Sequence, residues 1–514
     1  MASALIRRLA VLVAGLAVAA TVPMAPAAAE GTGTVQGRIT DERGAPSSSQ
    51  ITLSPVDPAS DSIYSYSGDD GLFTIADVPA GQYRFSINDN VHPPQWAYGA
   101  ESFDAAALID VVEGQVTTVN EQYLPLTELV VTVTDAATGQ PVAGACATVT
   151  TPTSPHACAG AGGVVTVADV WPGTWSVAVS DRDGAHWTST VDGVGFEQGV
   201  TTRISVALDP AASITATVRD ATTGQPVFAC VRTADPEGHG ILAGGGCFNY
   251  TDEATGKVVL GPMEATTVQL FVEPLDGSHG ALWVTRDGGT GDQRKARVVT
   301  ATVGQPVRLG RIEVGPAGSI SGTVRDRSTG EPVANVCAYP YAFDPRLGGL
   351  FGPRCSNSAG RYTISGLGPY AWPVLYTSAP IYGRAWQWSG NVADRFSARM
   401  VPVTPGGTAT QDARVVPGGT VSGSVVDRSG TPVFATVNAY NARTGDFAAS
   451  STSSEPSPGS PFVVKGLATQ QVKIQYEAAG SCWYLDKSSF DLATRLSVTA
   501  GTDVGPLTLV DCGS

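Results

Sequence analysis

Apolar and polar residues alternate along this chain in short runs, and one such run returns five times. It reads VQGRITDERGAP from Val35 to Pro46, LVVTVTDAATGQP from Leu129, ITATVRDATTGQP from Ile214, ISGTVRDRSTGEP from Ile320 and VSGSVVDRSGTP from Val421. A period of two predicts a β-strand with one face buried, and the Asp followed by Gly-x-Pro predicts a tight reversal after it. In the fourth copy Ile320, Gly322 and Val324 are expected to face inward, alternating with Ser321, Thr323 and Arg325. Further strands are expected at VANVCAYPY, RYTISGL, WPVLYTS and ARMVPVT, which makes a two-sheet antiparallel sandwich of the prealbumin or Ig-like kind. No stretch beyond residue 30 holds a convincing helical period.

The recurring Asp41, Asp135, Asp220, Asp326 and Asp427 lie 94, 85, 106 and 101 residues apart, enough chain for each unit to bury its own core. The expected organisation is all-β, with five sandwiches at 30–125, 126–210, 211–316, 317–417 and 418–514. Pro125, Pro210, Pro316 and Pro417 each stand ten residues before a recurring Asp and punctuate the joints, so a semi-rigid rod is expected. Residues 1–29 have the form of a signal peptide, with Arg7 and Arg8 before an apolar run from Leu9 to Val22 and Ala27-Ala28-Ala29 at the cleavage position. Secretion into the extracellular space is expected. No later segment approaches the ~20 apolar residues of a membrane span.

Composition agrees: 60 Gly, 35 Pro and 15% charged residues suit turns and strands. The formal charge of −15 becomes −17 once Arg7 and Arg8 leave, which sets nucleic acid aside as a partner. Eight cysteines in an exported chain point to disulfides. The repeat suggests one pair per unit from the second on: Cys146 with Cys158, Cys230 with Cys247, Cys337 with Cys355, and Cys482 with Cys512. There is no CxxC, so no zinc site is expected.

The pairing of G-x-V-x-D-x-x-T-G-x-P-V with a downstream D-x-x-G-x-F/Y-x-I-x-x-V/L-x-x-G-x-Y resembles the carboxypeptidase regulatory-like, or transthyretin-like, domain. DDGLFTIADVPAGQYRF from Asp69 to Phe85 and SAGRYTISGLGPY in the fourth unit carry the second half. The resemblance implies the sandwich fold for nearly all of residues 31–514. Such modules serve as appendages of peptidases, receptors, adhesins and glycan-active enzymes, so it implies no single activity. Collagen-adhesin B-type repeats are similar in outline. Their Lys-based isopeptide staple has no counterpart in the first, second and fourth units, because the five lysines lie elsewhere. Starch-binding-like sandwiches share the outline and imply sugar binding through exposed aromatics.

Catalytic chemistry is sparse. There is no G-x-S-x-G, H-E-x-x-H or Walker loop, and His92, His156, His186, His239 and His279 sit in separate loop-like segments. No catalytic residue, metal site or cofactor is expected, and the recurring Asp residues are expected to cap turns. The candidate ligand-binding residues are Trp96, Tyr98, Tyr382, Trp386 and Trp388, whose rings offer flat faces to sugars or partner side chains. Trp171, Trp175, Trp372 and Trp483 are expected to pack in cores or at edges. The expected function is a secreted non-catalytic binding or scaffold protein that contacts extracellular protein or cell-wall partners. The alternative is a polysaccharide-binding array, accessory to a secreted glycan hydrolase such as an amylase.

Overall fold

The computed structural model describes residues 31–514 apart from 59, 101, 235, 237–240, 243–246, 342–353, 380–382, 454–460 and 514. The leader and Tyr382 therefore lie outside the described residues. What is described is almost entirely strand and turn, with 3-10 turns at Gln293–Lys295 and Arg395–Ser397. No helix among the described residues is long and apolar enough to cross a membrane.

The strands gather along the chain into five successive groups with the same wiring. In the second group Thr127–Asp135 lies between Val164–Val170, antiparallel to it, and Thr202–Leu208, parallel to it. A second, antiparallel sheet runs His156–Cys158, Ala145–Val149, Gly173–Asp181, Ser189–Phe196. Leu129, Val131 and Val133 point between the sheets and are fully buried, as the period of two requires.

The parallel pairing is a difference from the antiparallel sandwich that the sequence predicts. It recurs in every group, where the opening strand pairs parallel with the last one. Parallel neighbours need a crossover, and here the whole second sheet supplies it. In the first and fourth groups that last strand is broken, into Val116–Thr118 and Glu121–Gln122, and into Thr408–Thr410 and Ala413–Val415. The breaks fall where the Val119 and Gln411 carbonyls press on the opening strand. A Cβ at Gly37 would lie 1.7 Å from Val119 O, and one at Gly322 would lie 1.9 Å from Gln411 O. Gly322 therefore keeps its place on the inward face because no side chain fits there.

Five apolar clusters fill the spaces between sheets. They are not equally separate. The fourth cluster takes in Ala234, Phe271, Ala281, Trp283 and Ala296 of the third group, so two successive sandwiches share one apolar mass. Disulfides join Cys146 to Cys158, Cys230 to Cys247, Cys337 to Cys355 and Cys482 to Cys512. Two of them cross directly opposed residues of neighbouring strands.

Candidate functional site

The turn after each opening strand is built on the recurring Asp. Asp135 Oδ1 accepts from the N–H groups of Ala137 (2.9 Å) and Thr138 (2.7 Å), and Asp220 Oδ1 accepts from Thr222 (2.6 Å) and Thr223 (2.7 Å). Asp41, Asp326 and Asp427 accept from turn amides in the same way. This is the capping chemistry expected of short carboxylates in turns.

The second oxygen of the same carboxylate does something the sequence did not show. Asp135 Oδ2 faces His186 Nε2 at 2.9 Å, and His186 Nδ1 faces Asp181 Oδ2 at 2.9 Å. Asp220 and Asp276 hold His279 likewise, at 2.8 and 2.5 Å. In the first group Glu42, next to the turn Asp, and Asp89 hold His92, both at 2.8 Å. In the fourth group Arg384 takes the imidazole's place and pairs with Asp326. Three histidines that looked unrelated thus occupy one position. The signal available was an Asp three residues before His92 and His279 and five before His186.

Burial pushes the pKa of His92 and His279 down, but hydrogen bonds to the paired carboxylates outweigh it and hold both above the usual imidazole value. Asp220 is held below the usual carboxylate range, first by the Thr223 N–H and then by His279. Asp326 is held low by the Ser328 hydroxyl and by Arg384.

These clasps stand where one group hands over to the next. His186, His279 and Arg384 bridge the joint residues Pro210, Pro316 and Pro417. Around each bridge runs a two-bond ladder: Trp187 N–H to Asp209 O and Ala211 N–H to Ala185 O, Gly280 to Gly315 and Ala317 to Ser278, Ala385 to Val416 and Gly418 to Gly383. At the first joint the residue after His92 is Pro93, which has no N–H to donate. A cavity of about 190 Å³ lies there instead, lined by His92, Pro93, Pro94, Pro125 and Pro172 among others.

The aromatic candidates divide. Trp388 is only 3% exposed and belongs to the fourth core, so it offers no face to a ligand, contrary to expectation. Its surroundings look like a loop in sequence, but Gln387–Trp388 is a short strand on the second sheet. Trp386 is half-buried and packs at 5.8 Å on Phe447 of the fifth group. It therefore serves a joint. Trp96 is half-buried with the edge of Phe103 at 5.2 Å, and Tyr98 is 64% exposed. Tyr98 holds a positive φ of 61°, and its N–H donates to the buried Glu121 carboxylate. Tyr64 (65% exposed) and Tyr66 (69%) stand out on the edge strand Ile63–Tyr66 and were missed, because two tyrosines in an alternating strand carry no mark of which face is open.

Cys482, Asp511 and Cys512 lie together, yet both sulfurs are spent in a disulfide and leave no thiolate for a metal. No protein-family model and no curated protein sequence matches the chain. Among solved structures it is similar to the TIE protein of Bacillus anthracis (11% identity over 90% of this chain and 68% of that one, TM-score 0.17). It is also similar to the minor pilin GBS52 of Streptococcus agalactiae (10%, 35% and 97%, TM-score 0.24) and to BcpA, the major pilin subunit of Bacillus cereus (8%, 74% and 99%, TM-score 0.14). At these values the likenesses carry no argument about activity.

Proposed function

We propose that the chain is a secreted, non-catalytic scaffold of five sandwich units, bounded at 30–125, 126–210, 211–316, 317–417 and 418–514, that holds extracellular protein or cell-wall partners. One observation carries this reading: His92, His186 and His279, the residues best suited to general acid–base work, are each occupied on both ring nitrogens by carboxylates at a joint. Four disulfides fit the oxidising exterior. The purified chain is expected to be retained on extracellular protein or cell-wall fractions and to hydrolyse no ester, peptide or glycan substrate. Hydrolysis abolished by one side-chain substitution would overturn the reading.

Polysaccharide binding is a second reading, favoured by the open face of the first group. Tyr64 and Tyr66 stand opposite Thr52 and Gln50, and Trp96 lies two strands further along the same row, opposite Ser86. The row from Tyr64 to Trp96 spans three strand spacings, about 14 Å, and carries no charged side chain. Retention on insoluble glucan, chitin or peptidoglycan that Tyr64→Ala and Tyr66→Ala abolish would support it. Equal recovery of wild type and variants in the unbound fraction would end it.

A further inference from the structure

An imidazole bonded through both nitrogens to two carboxylates is satisfied only when both nitrogens carry protons. A neutral ring has one N–H and one lone pair, and the lone pair would face an anionic oxygen. Three histidines share this geometry, with all six nitrogen–carboxylate distances between 2.5 and 2.9 Å, and the Ser278 hydroxyl lies 3.1 Å from His279 Nδ1 as well. The histidine loop is also the strand that ladders onto the joint at Pro210 and Pro316. We propose that the His279 clasp is held by an imidazolium ion and acts as a pH-sensitive lock on the Pro316 joint, while Arg384, which keeps its charge throughout, makes the lock on the Pro417 joint insensitive to pH.

The charged surroundings agree with a cationic ring. His279 faces Asp220 and Asp276, and Arg311 donates to the Asp220 carbonyl. His186 faces Asp135 and Asp181; Asp183 close by is paired with Lys257 of the third group. His92 faces Glu42 and Asp89 and stacks on the Tyr123 ring at 4.4 Å, while Arg43 binds the other oxygen of Glu42. No cation touches an imidazole nitrogen among the described residues. The raised pKa of His92 and His279 sets the direction. The stabilisation is complete below the free imidazole value of about 6.5 and is lost as pH rises through the higher folded value. Alkaline solution therefore loosens the His279 joint and leaves the arginine joint closed.

The test is side-chain ¹⁵N NMR of the histidines, with amide hydrogen-exchange protection, on the full chain from pH 5 to 9. His92 and His279 are expected to remain doubly protonated at pH 7, where a free imidazole is mostly neutral. Protection of the Gly280 and Ala317 amides is expected to fall about tenfold as His279 loses its proton, the loss of one charge-assisted hydrogen bond. Protection at Ala385 and Gly418 stays level. His279→Arg is expected to keep Gly280 protected across the range, and His279→Gln to leave it weak at every pH. Histidines that titrate like the free side chain, an equal fall at Ala385, or an unchanged pH profile in His279→Arg would each overturn the proposal. The wild-type contrast between Gly280 and Ala385 decides the matter even if a variant fails to fold.

Discussion

Between the first and second groups the chain leaves a cavity, and between the third and fourth it buries two tryptophans. The contrast begins in one strand of the repeat. Gly81–Asn88 in the first group turns Arg84, Ser86 and Asn88 outward, and all three stay partly exposed. The corresponding Thr266–Pro274 turns Gln269, Phe271 and Glu273 outward, and all three are buried. Phe271 meets Trp283 at 4.9 Å, Tyr341 at 5.5 Å and Trp372 at 6.4 Å, and both tryptophans are essentially inaccessible. At the first joint one side-chain bond crosses, Trp171 Nε1 to Val91 O at 2.7 Å. A row of polar residues leaves a sheet face wet and its neighbour free; one large aromatic at the centre of the row turns the same face into a core. One fold plan thus yields either a hinge or a weld, depending on the central outward position.

The largest effect is expected from Trp372→Ala, which empties the weld. A loss of about 3–5 kcal/mol follows from deleting a buried aromatic. In calorimetry the third and fourth groups are expected to melt together in the wild type and separately in the variant. Arg395→Ala comes next: the ion pair with Asp446 at 3.0 Å is buried on both sides, and breaking it leaves an uncompensated charge worth about 3 kcal/mol.

Glu273 gives a smaller, pH-dependent effect. Burial on the outward face of the third group raises its pKa to about 7, against a partial offset from Arg232. A carboxyl raised in the folded state stabilises it below the unfolded value of about 4.5 and loses that contribution as pH rises through 7. The melting temperature of the weld is expected to fall by a few degrees between pH 5 and 8, and Glu273→Gln is expected to flatten the slope. Trp171→Ala is expected to cost about 1 kcal/mol or less, without splitting any transition. Pro93→Ala is the mildest and the most pointed change. It supplies the N–H that the other joints use, so a fluorescence-transfer distance between the first two groups is expected to narrow while stability changes by under about 1 kcal/mol.

Much of this was legible in the sequence. Alternation located the opening strands, the Asp and Gly-x-Pro located the turns, and cysteine spacing within the repeat gave the pairs the structure forms. These are local signals, set by residues a few positions apart. What stayed hidden is long-range. Alternation says which face is inward but not which strand lies beside it, so the parallel pairing of Thr127–Asp135 with Thr202–Leu208 left no trace. The partner of His279 lies 59 residues away, and the aromatic ring that half-covers Trp386 belongs to the next group. A loop tryptophan in isolation looks like a ligand platform until its neighbour arrives.

Arg395 sits in the fourth group, yet it bonds Gln293 of the third through Nη1 and pairs with Asp446 of the fifth through Nε. Three consecutive groups therefore close on a single guanidinium, and that part of the chain is braced as a triangle is braced. Tension applied at the two termini would be carried in parallel by the welded trio and in series by the pair before it. The first joint, with its cavity and its missing donor, would lengthen before any core was drawn apart, so the molecule would behave as a stiff block on a short compliant tether.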